Sequence, residues 1–155
     1  MSLNSTLHEK PIWVVVADAS KAIVYTRDTR RGPLEERDVF ENSVVREKTS
    51  QFLSDNGGRS FDSHGSGRHT LTSEKADPKQ QYAKAFAKKV SQHIVDAISG
   101  GTCRDFALVS APRFLGYLRE ALHAAPNAVP YVTIDKDMVA QDKETIERLL
   151  QRALD

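Results

Sequence analysis

The first long apolar run of the chain extends from Ile12 to Ala17, and most of its side chains are β-branched. A short, continuously apolar run is typical of a strand that is covered on both faces of a sheet. After a polar turn at 18–21, Ala22 to Arg27 predicts the returning strand, and Leu34 to Glu41 predicts a weaker third strand. Because turns this short join antiparallel neighbours, we expect all three strands to run antiparallel. Residues 44–53 show no clear pattern and stay unassigned.

The apolar pattern changes to a helical period from residue 77 onward. Asp77 and Pro78 form a typical N-cap and first helical position. Gly100 and Gly101 predict the end of this helix in a left-handed conformation. The apolar residues that recur at helical spacing are Tyr82, Ala83, Phe86, Ala87, Val90, Ile94, Ala97 and Ile98.

Strand and helix patterns alternate in the last third of the chain. Phe106 to Val109 predicts a buried strand, residues 110–113 open a second helix, and Tyr131 to Ile134 predicts a fifth strand. Apolar residues between 146 and 154 predict a last helix. Since crossover connections are right-handed, the later strands should lie parallel to the first. We therefore predict an α/β protein in which helices pack on a mixed five-stranded sheet.

Length, charge and cysteine content narrow the class of protein. The 155 residues fit one domain, which we place at 11–155 after a polar N-terminal tail at 1–10. A formal net charge of +1 gives no global reason to expect nucleic-acid binding, so any such site must be local. Cys103 is the only cysteine, which excludes an internal disulfide and a cysteine-based zinc cluster, and we expect a buried, inert thiol. The N-terminal apolar run is too short for a membrane span or a signal sequence, so we expect a cytoplasmic protein.

The segment 54–70 differs from the rest of the chain, because it holds four of the eight glycines and two of the five histidines. Glycine lets backbone N–H groups converge on a ligand, and arginine supplies a planar fork of donors for phosphate or carboxylate. The segment predicts an anion-binding loop; the alternative is a surface loop without a ligand. Its candidate binding residues are Gly57, Gly58, Arg59, Phe61, His64, Arg68 and His69. The spacing of Asp62, His64 and His69 matches no established zinc site, and we expect neither a metal nor a cofactor.

Several blocks of the sequence together resemble the bacterial host attachment protein family. They are WVVVADASKA at 13–22, SDNGGRSFD at 54–62, GRH at 67–69, APRFLGYLR at 111–119 and IDKDM at 134–138. The predicted element order is the ribonuclease H-like arrangement, and the family is similar to the middle domain of archaeal and eukaryotic release factors and of Pelota.

The resemblance to release factors implies that the glycine-rich segment corresponds in position to a functional loop of those proteins. In release factors, a mobile Gly-Gly-Gln loop between the third strand and the long helix positions the water that hydrolyses peptidyl-tRNA. Gly57 and Gly58 occupy the corresponding place here, but Arg59 stands where glutamine would be. Arginine has no acceptor atom and cannot orient a nucleophilic water as an amide does. The resemblance thus implies the scaffold and the loop position without release activity.

The lysines of the first helix extend the basic character of the glycine-rich segment. Lys79, Lys84, Lys88 and Lys89 lie on this helix, with Lys84 and Lys88 one turn apart. Together with the loop they predict a strip that follows an RNA backbone, with Phe61 stacking on a base. The expected partner is a ribosome, rRNA or tRNA; DNA and membranes are not expected. For the lysines, the alternative is a solvated helix face. For the protein, the alternative is an interaction module that binds a protein or an anionic metabolite in surface attachment or stress regulation. A third alternative is a hydrolase or nuclease.

Secondary candidate residues follow the predicted strands. Asp18, Asp135 and Asp137 resemble the carboxylate clusters of ribonuclease H-like nucleases, although each also suits local turn capping. Ser110 and Arg113 offer a hydroxyl and a cation at a helix N-terminus, where ligands of α/β sheets bind. The alternative there is an N-cap serine beside an arginine in solvent, and no nucleophile elbow is present.

Overall fold

A computed structural model of the protein describes residues 10–44 and 77–155. The elements within these ranges are β1 (Ile12–Ala17), β2 (Lys21–Arg27), β3 (Glu35–Glu41), α1 (Pro78–Ser99), β4 (Asp105–Ser110), α2 (Pro112–Leu122), β5 (Val132–Ile134) and α3 (Lys143–Leu154).

The strands form one mixed sheet in the order β3-β2-β1-β4-β5. β2 runs antiparallel to both β1 and β3, whereas β4 runs parallel to both β1 and β5. The predicted meander and the predicted parallel crossovers are therefore confirmed, and the strand order is that of the ribonuclease H-like arrangement. In this order β3, β1, β4 and β5 share one direction, so their carboxyl ends lie at the same edge of the sheet.

Side chains on the two faces of β1 enter two different cores. Trp13 and Val15 pack in the core beneath α1 and α2, whereas Val14 and Val16 pack in the core beneath α3. All six residues of β1 are buried. The continuously apolar run thus predicted correctly that this strand is covered on both faces.

Both ends of α1 form as the sequence predicts. The Asp77 carboxylate accepts a hydrogen bond from the Lys79 N–H at 3.1 Å. At the other end Gly101 has a φ of +79°, a conformation that side chains disfavour. The Gly101 and Thr102 N–H groups donate to the Ile98 and Ala97 carbonyls at 3.2 and 2.9 Å, which is the Schellman arrangement.

The structure moves several predicted element ends by one or two residues. β5 begins at Val132 instead of Tyr131, although the Tyr131 N–H still donates to the Phe106 carbonyl at 2.9 Å. Ser110 is not an N-cap: it pairs with Ala17 inside the sheet, is fully buried, and donates its hydroxyl to the Ala111 carbonyl at 3.3 Å. Ala111 is the N-cap of α2 and makes no side-chain capping bond. Within the two described ranges, no helix is long and apolar enough to cross a membrane.

The Cys103 thiol is buried, with 2% of the residue exposed, and it donates to the Asp105 carbonyl at 3.1 Å. Burial raises its pKa from 9.0 to about 11. We therefore expect the folded protein to resist a thiol reagent near pH 8 and to react fully once it is unfolded. Since the unfolded thiol ionises first, the free energy of unfolding should also fall as the pH rises from 9.0 towards about 11. Stoichiometric labelling of the folded protein near pH 8 would contradict this expectation.

Candidate functional site at the carboxyl edge of the sheet

The carboxyl edge of the sheet brings together several sequence-predicted residues. Asp18 directly follows β1, Ser110 ends β4 in register with Ala17, and Asp135 directly follows β5. Ligands of open α/β sheets commonly bind at this edge. α1 and α2 begin here as well, because each is the crossover that leads from one parallel strand to the next.

Asn42 joins the two chain ends between which residues 45–76 run. Its side-chain amide donates to the Ala19 carbonyl at 3.0 Å and to the Tyr82 carbonyl of α1 at 3.2 Å. Its backbone N–H donates to the Ser20 carbonyl at 2.9 Å. Asn42 is 7% exposed, so these are buried polar contacts. The residue thereby fixes the end of β3 against the first turns of α1, a role that its place after a strand did not indicate.

The predicted binding residues of the glycine-rich segment lie outside the described ranges. They are Gly57, Gly58, Arg59, Phe61, His64, Arg68 and His69. Asp62 lies outside these ranges as well.

The Asp18 carboxylate is engaged in its own turn. One of its oxygens accepts hydrogen bonds from the Ser20 N–H at 2.8 Å, the Ser20 hydroxyl at 2.9 Å and the Lys21 N–H at 2.9 Å. The structure therefore confirms turn capping, which was the alternative to a catalytic role. This bonding stabilises the β1–β2 connection and orients Asp18 towards backbone donors.

Asp135 and Ser110 have different surroundings at the same edge. Asp135 is exposed and lines a small cavity of about 270 Å³ with Arg119 and Thr133, in which the Arg119 guanidinium donates to the Thr133 hydroxyl at 2.9 Å. Ser110 is fully buried, so its hydroxyl does not face a ligand. The described residues contain no group of three or more His, Cys, Asp or Glu side chains that would hold a metal ion. The described residues therefore provide no carboxylate cluster of the kind that a ribonuclease H-like nuclease uses to hold two metal ions.

Positive charge dominates the exposed side of α1. Four lysines lie on this helix, all exposed, and its one acidic residue is Asp96, near the end of the helix. Lys84 and Lys88 are separated by one turn, so their side chains are neighbours on the helix surface. In ranges 10–44 and 77–155 none of the four lysines forms an ion pair. Their charge is therefore free to attract an anion.

Tyr117 extends the basic surface from α1 to α2. The Lys84 ammonium lies 5.6 Å from the centre of the Tyr117 ring, within the range of a cation–π contact. Arg113 is exposed and lies one helical turn before Tyr117 in α2. We call Lys84, Lys88, Arg113 and Tyr117 the α1–α2 strip. Tyr117 was not predicted from the sequence, although its spacing of four residues from Arg113 was a usable signal.

The fold defines a small α/β protein of ribonuclease H-like topology. The strip gives it a basic surface beside the carboxyl edge of the sheet, and this surface includes the Tyr117 ring. Residues 13–150 match the family described as "protein required for attachment to host cells", so the chain belongs to the host attachment family. This match confirms the family that the sequence blocks indicated. It covers the whole strip and the glycine-rich segment. A comparison with curated proteins gives no match.

Proposed function

We propose that this host attachment family protein binds RNA, as a ribosome-associated protein, through the α1–α2 strip and the glycine-rich segment 54–70. The observation that carries the proposal is the positive charge of the strip around an aromatic ring, which forms no ion pair within the described residues. The protein acts as a binding protein and has no peptide-release activity, because Arg59 provides donors and no acceptor where release factors have glutamine.

The chemistry of the strip suits a single-stranded nucleic acid. Lys84, Lys88 and Arg113 supply three cations for phosphate groups, and binding to them releases counterions from the RNA. Tyr117 is half-buried, with Phe114 edge-on at 6.3 Å, so the ring is held in place by α2. Bases stack on such rings in many single-strand-binding proteins. Lys84 reaches the ring through a flexible four-carbon stem, so it can move to a phosphate while a base approaches.

The position of the glycine-rich segment supports the same proposal. Residues 45–76 connect the end of β3 to the start of α1, and Asn42 holds these two ends together at the carboxyl edge. The end of β3, which precedes residues 45–76 in the chain, thus lies near the first turns of the helix that carries Lys84. In this proposal the ribosome is the partner because the segment is similar in position to the release-factor loop, which works on the ribosome.

The second candidate function is an interaction module that binds a protein during surface attachment. The family description favours it, and so does a groove of about 450 Å³ between β3 and α1. Val39 on this groove is 41% exposed, and Phe40 packs against the His93 ring at 4.5 Å. Salt separates the two candidates, because phosphate contacts weaken steeply as salt rises while an apolar protein interface does not.

Co-sedimentation with ribosomal subunits tests the proposed function. At low salt we expect the wild-type protein to sediment with the subunits and to lose this association after nuclease treatment. Replacing Arg59 and Arg68 by alanine should weaken the association several-fold, because two cations near the proposed RNA path are removed. Replacing Lys136 and Lys143, two exposed lysines outside the strip, by alanine is the matched control. Equal sedimentation of both double variants with the subunits would count against the glycine-rich segment as an RNA contact.

A further inference from the structure

A second basic site lies at the opposite, amino edge of the sheet. There an open cavity of about 500 Å³ is lined by Ile12, Thr29, Arg30, Arg31, Arg104 and Asp105. Three arginines and Asp105 thus line the same space, and with Asp155, the ion-pair partner of Arg31, the excess is one positive charge. The cavity is open to solvent, so it suits the charged end of a ligand and not an enclosed molecule. We call this cavity the arginine pocket.

Contacts with the fold hold the arginines in position. Arg30 forms an ion pair with Asp105 at 2.7 Å and lies 4.2 Å above the centre of the Tyr131 ring. Arg104 donates to the backbone carbonyls of Lys10 and Asp28. Within the described residues it has no carboxylate partner. Because each guanidinium has five N–H donors, Arg30 and Arg104 keep donors for a ligand.

Arg31 completes the pocket from the surface. Its side chain is 51% exposed and pairs with the Asp155 carboxylate at 3.0 Å. An exposed pair of this kind contributes little to stability, so Arg31 can exchange its partner for a ligand at small cost.

A buried cation lies behind the pocket. Arg27 is 5% exposed, and its guanidinium donates twice to the Gly32 carbonyl. Within the described residues, its remaining Nη1 atom and the Tyr131 hydroxyl, both buried, have no hydrogen-bond partner of good geometry other than each other. Burial raises the pKa of Tyr131, while the charge of Arg27, a hydrogen bond with its side chain and the charge of Arg30 act to lower it, so both cations lie near the same phenol.

The buried guanidinium points to an anion in the pocket. Within the described residues Arg27 forms no ion pair, and a buried charge without a counter-ion is unfavourable. A negative ligand beside Arg30 would partly offset this charge, because Arg30 lies over the ring of Tyr131, which also interacts with Arg27. Phosphate suits the pocket better than a single carboxylate, because several arginine forks can share its oxygens.

We propose that the arginine pocket binds a small phosphorylated metabolite whose phosphate or diphosphate group contacts Arg30, Arg31 and Arg104. This site is separate from the proposed RNA surface, since it lies at the amino ends of β1 and β4. It would let the protein respond to a soluble metabolite while the opposite edge contacts a macromolecule.

Isothermal titration of the full-length protein with inorganic pyrophosphate tests this proposal. We expect saturable binding to the wild type and an affinity that is about tenfold lower for Arg31→Gln, since one charge-assisted contact is lost. Arg37→Gln, which removes an exposed arginine of β3, is the matched control and should bind as the wild type does. Arg104→Gln should also lose about tenfold, measured together with its thermal melting curve.

Clear results would overturn the proposal. Absence of saturable pyrophosphate binding to the wild type would do so. Unchanged binding to Arg31→Gln would do so as well. Because Arg31 is exposed, this variant should fold as the wild type does. Competition of a short RNA with pyrophosphate would also overturn it, by assigning the pocket to the RNA surface. Arg31→Gln should still sediment with ribosomal subunits, so failure of the pocket and failure of the RNA proposal are distinguishable.

Discussion

Replacing Lys84 and Lys88 together by glutamine is expected to weaken binding to single-stranded RNA about tenfold to a hundredfold at low salt. Both side chains are exposed and unpaired within the described residues, so each is free to neutralise a phosphate. Because each phosphate contact contributes about 0.7 to the slope of log K against log salt for single strands, the slope should become less steep by about 1.4. Fluorescence anisotropy with a labelled oligonucleotide measures both quantities.

A matched double variant separates the strip from a general effect of net charge. Lys136→Gln with Lys143→Gln also removes two exposed lysines, from the β5–α3 connection and the start of α3. We expect its RNA affinity to stay within about twofold of the wild type, because no cationic strip lies there. If both double variants lost affinity equally, binding would depend on net charge alone and the strip would have no special role.

Replacing Asn42 by alanine is expected to lower the free energy of unfolding by about 2–4 kcal/mol. The side-chain amide satisfies two carbonyl groups, Ala19 and Tyr82, and the residue is buried. Its removal leaves these acceptors without the donor and separates the end of β3 from the first turns of α1. Chemical denaturation, followed by circular dichroism, gives the change in free energy.

Asn127→Ala is the control for this effect, because Asn127 is exposed and lies in the loop before β5. It should change stability by about 0.5 kcal/mol or less. A similarly small effect for Asn42→Ala would show that the two buried hydrogen bonds do not hold the edge together. A large loss of stability with unchanged RNA binding by the folded fraction would limit Asn42 to a structural role.

The elements that the sequence predicted best are those with a local physical cause. β1 is recognisable because all its side chains enter a core, and α1 because Asp77, Pro78 and Gly101 mark its ends. Ser110 was predicted less well, because a serine before a helix suits a cap and a strand end equally. Its pairing with Ala17 in the sheet decided between the two.

The functional surfaces were predictable only in part, since they depend on contacts between distant parts of the chain. Lys84 and Arg113 are recognisable as basic residues, but only the packing of α1 against α2 places Tyr117 beside Lys84. The arginine pocket was not predicted, because Arg30 and Asp105 are 75 residues apart in sequence. No spacing rule relates residues at that separation.

This host attachment family protein has two basic surfaces, which lie at opposite edges of one sheet. The α1–α2 strip lies beside the carboxyl edge, and for this strip we propose RNA as the ligand. The amino edge carries the arginine pocket, for which we propose a small phosphorylated ligand. The sheet, buried on both faces at β1, lies between the two surfaces.

The salt dependence of RNA binding by the wild-type protein is the most direct test of the central claim that phosphate contacts drive association. The logarithm of the binding constant for a single-stranded oligonucleotide should fall linearly with the logarithm of the salt concentration. The three cations of the strip alone predict a slope of about −2, and contacts from the glycine-rich segment would make it steeper. Binding that stays constant as salt rises would contradict the account and favour the protein-binding alternative.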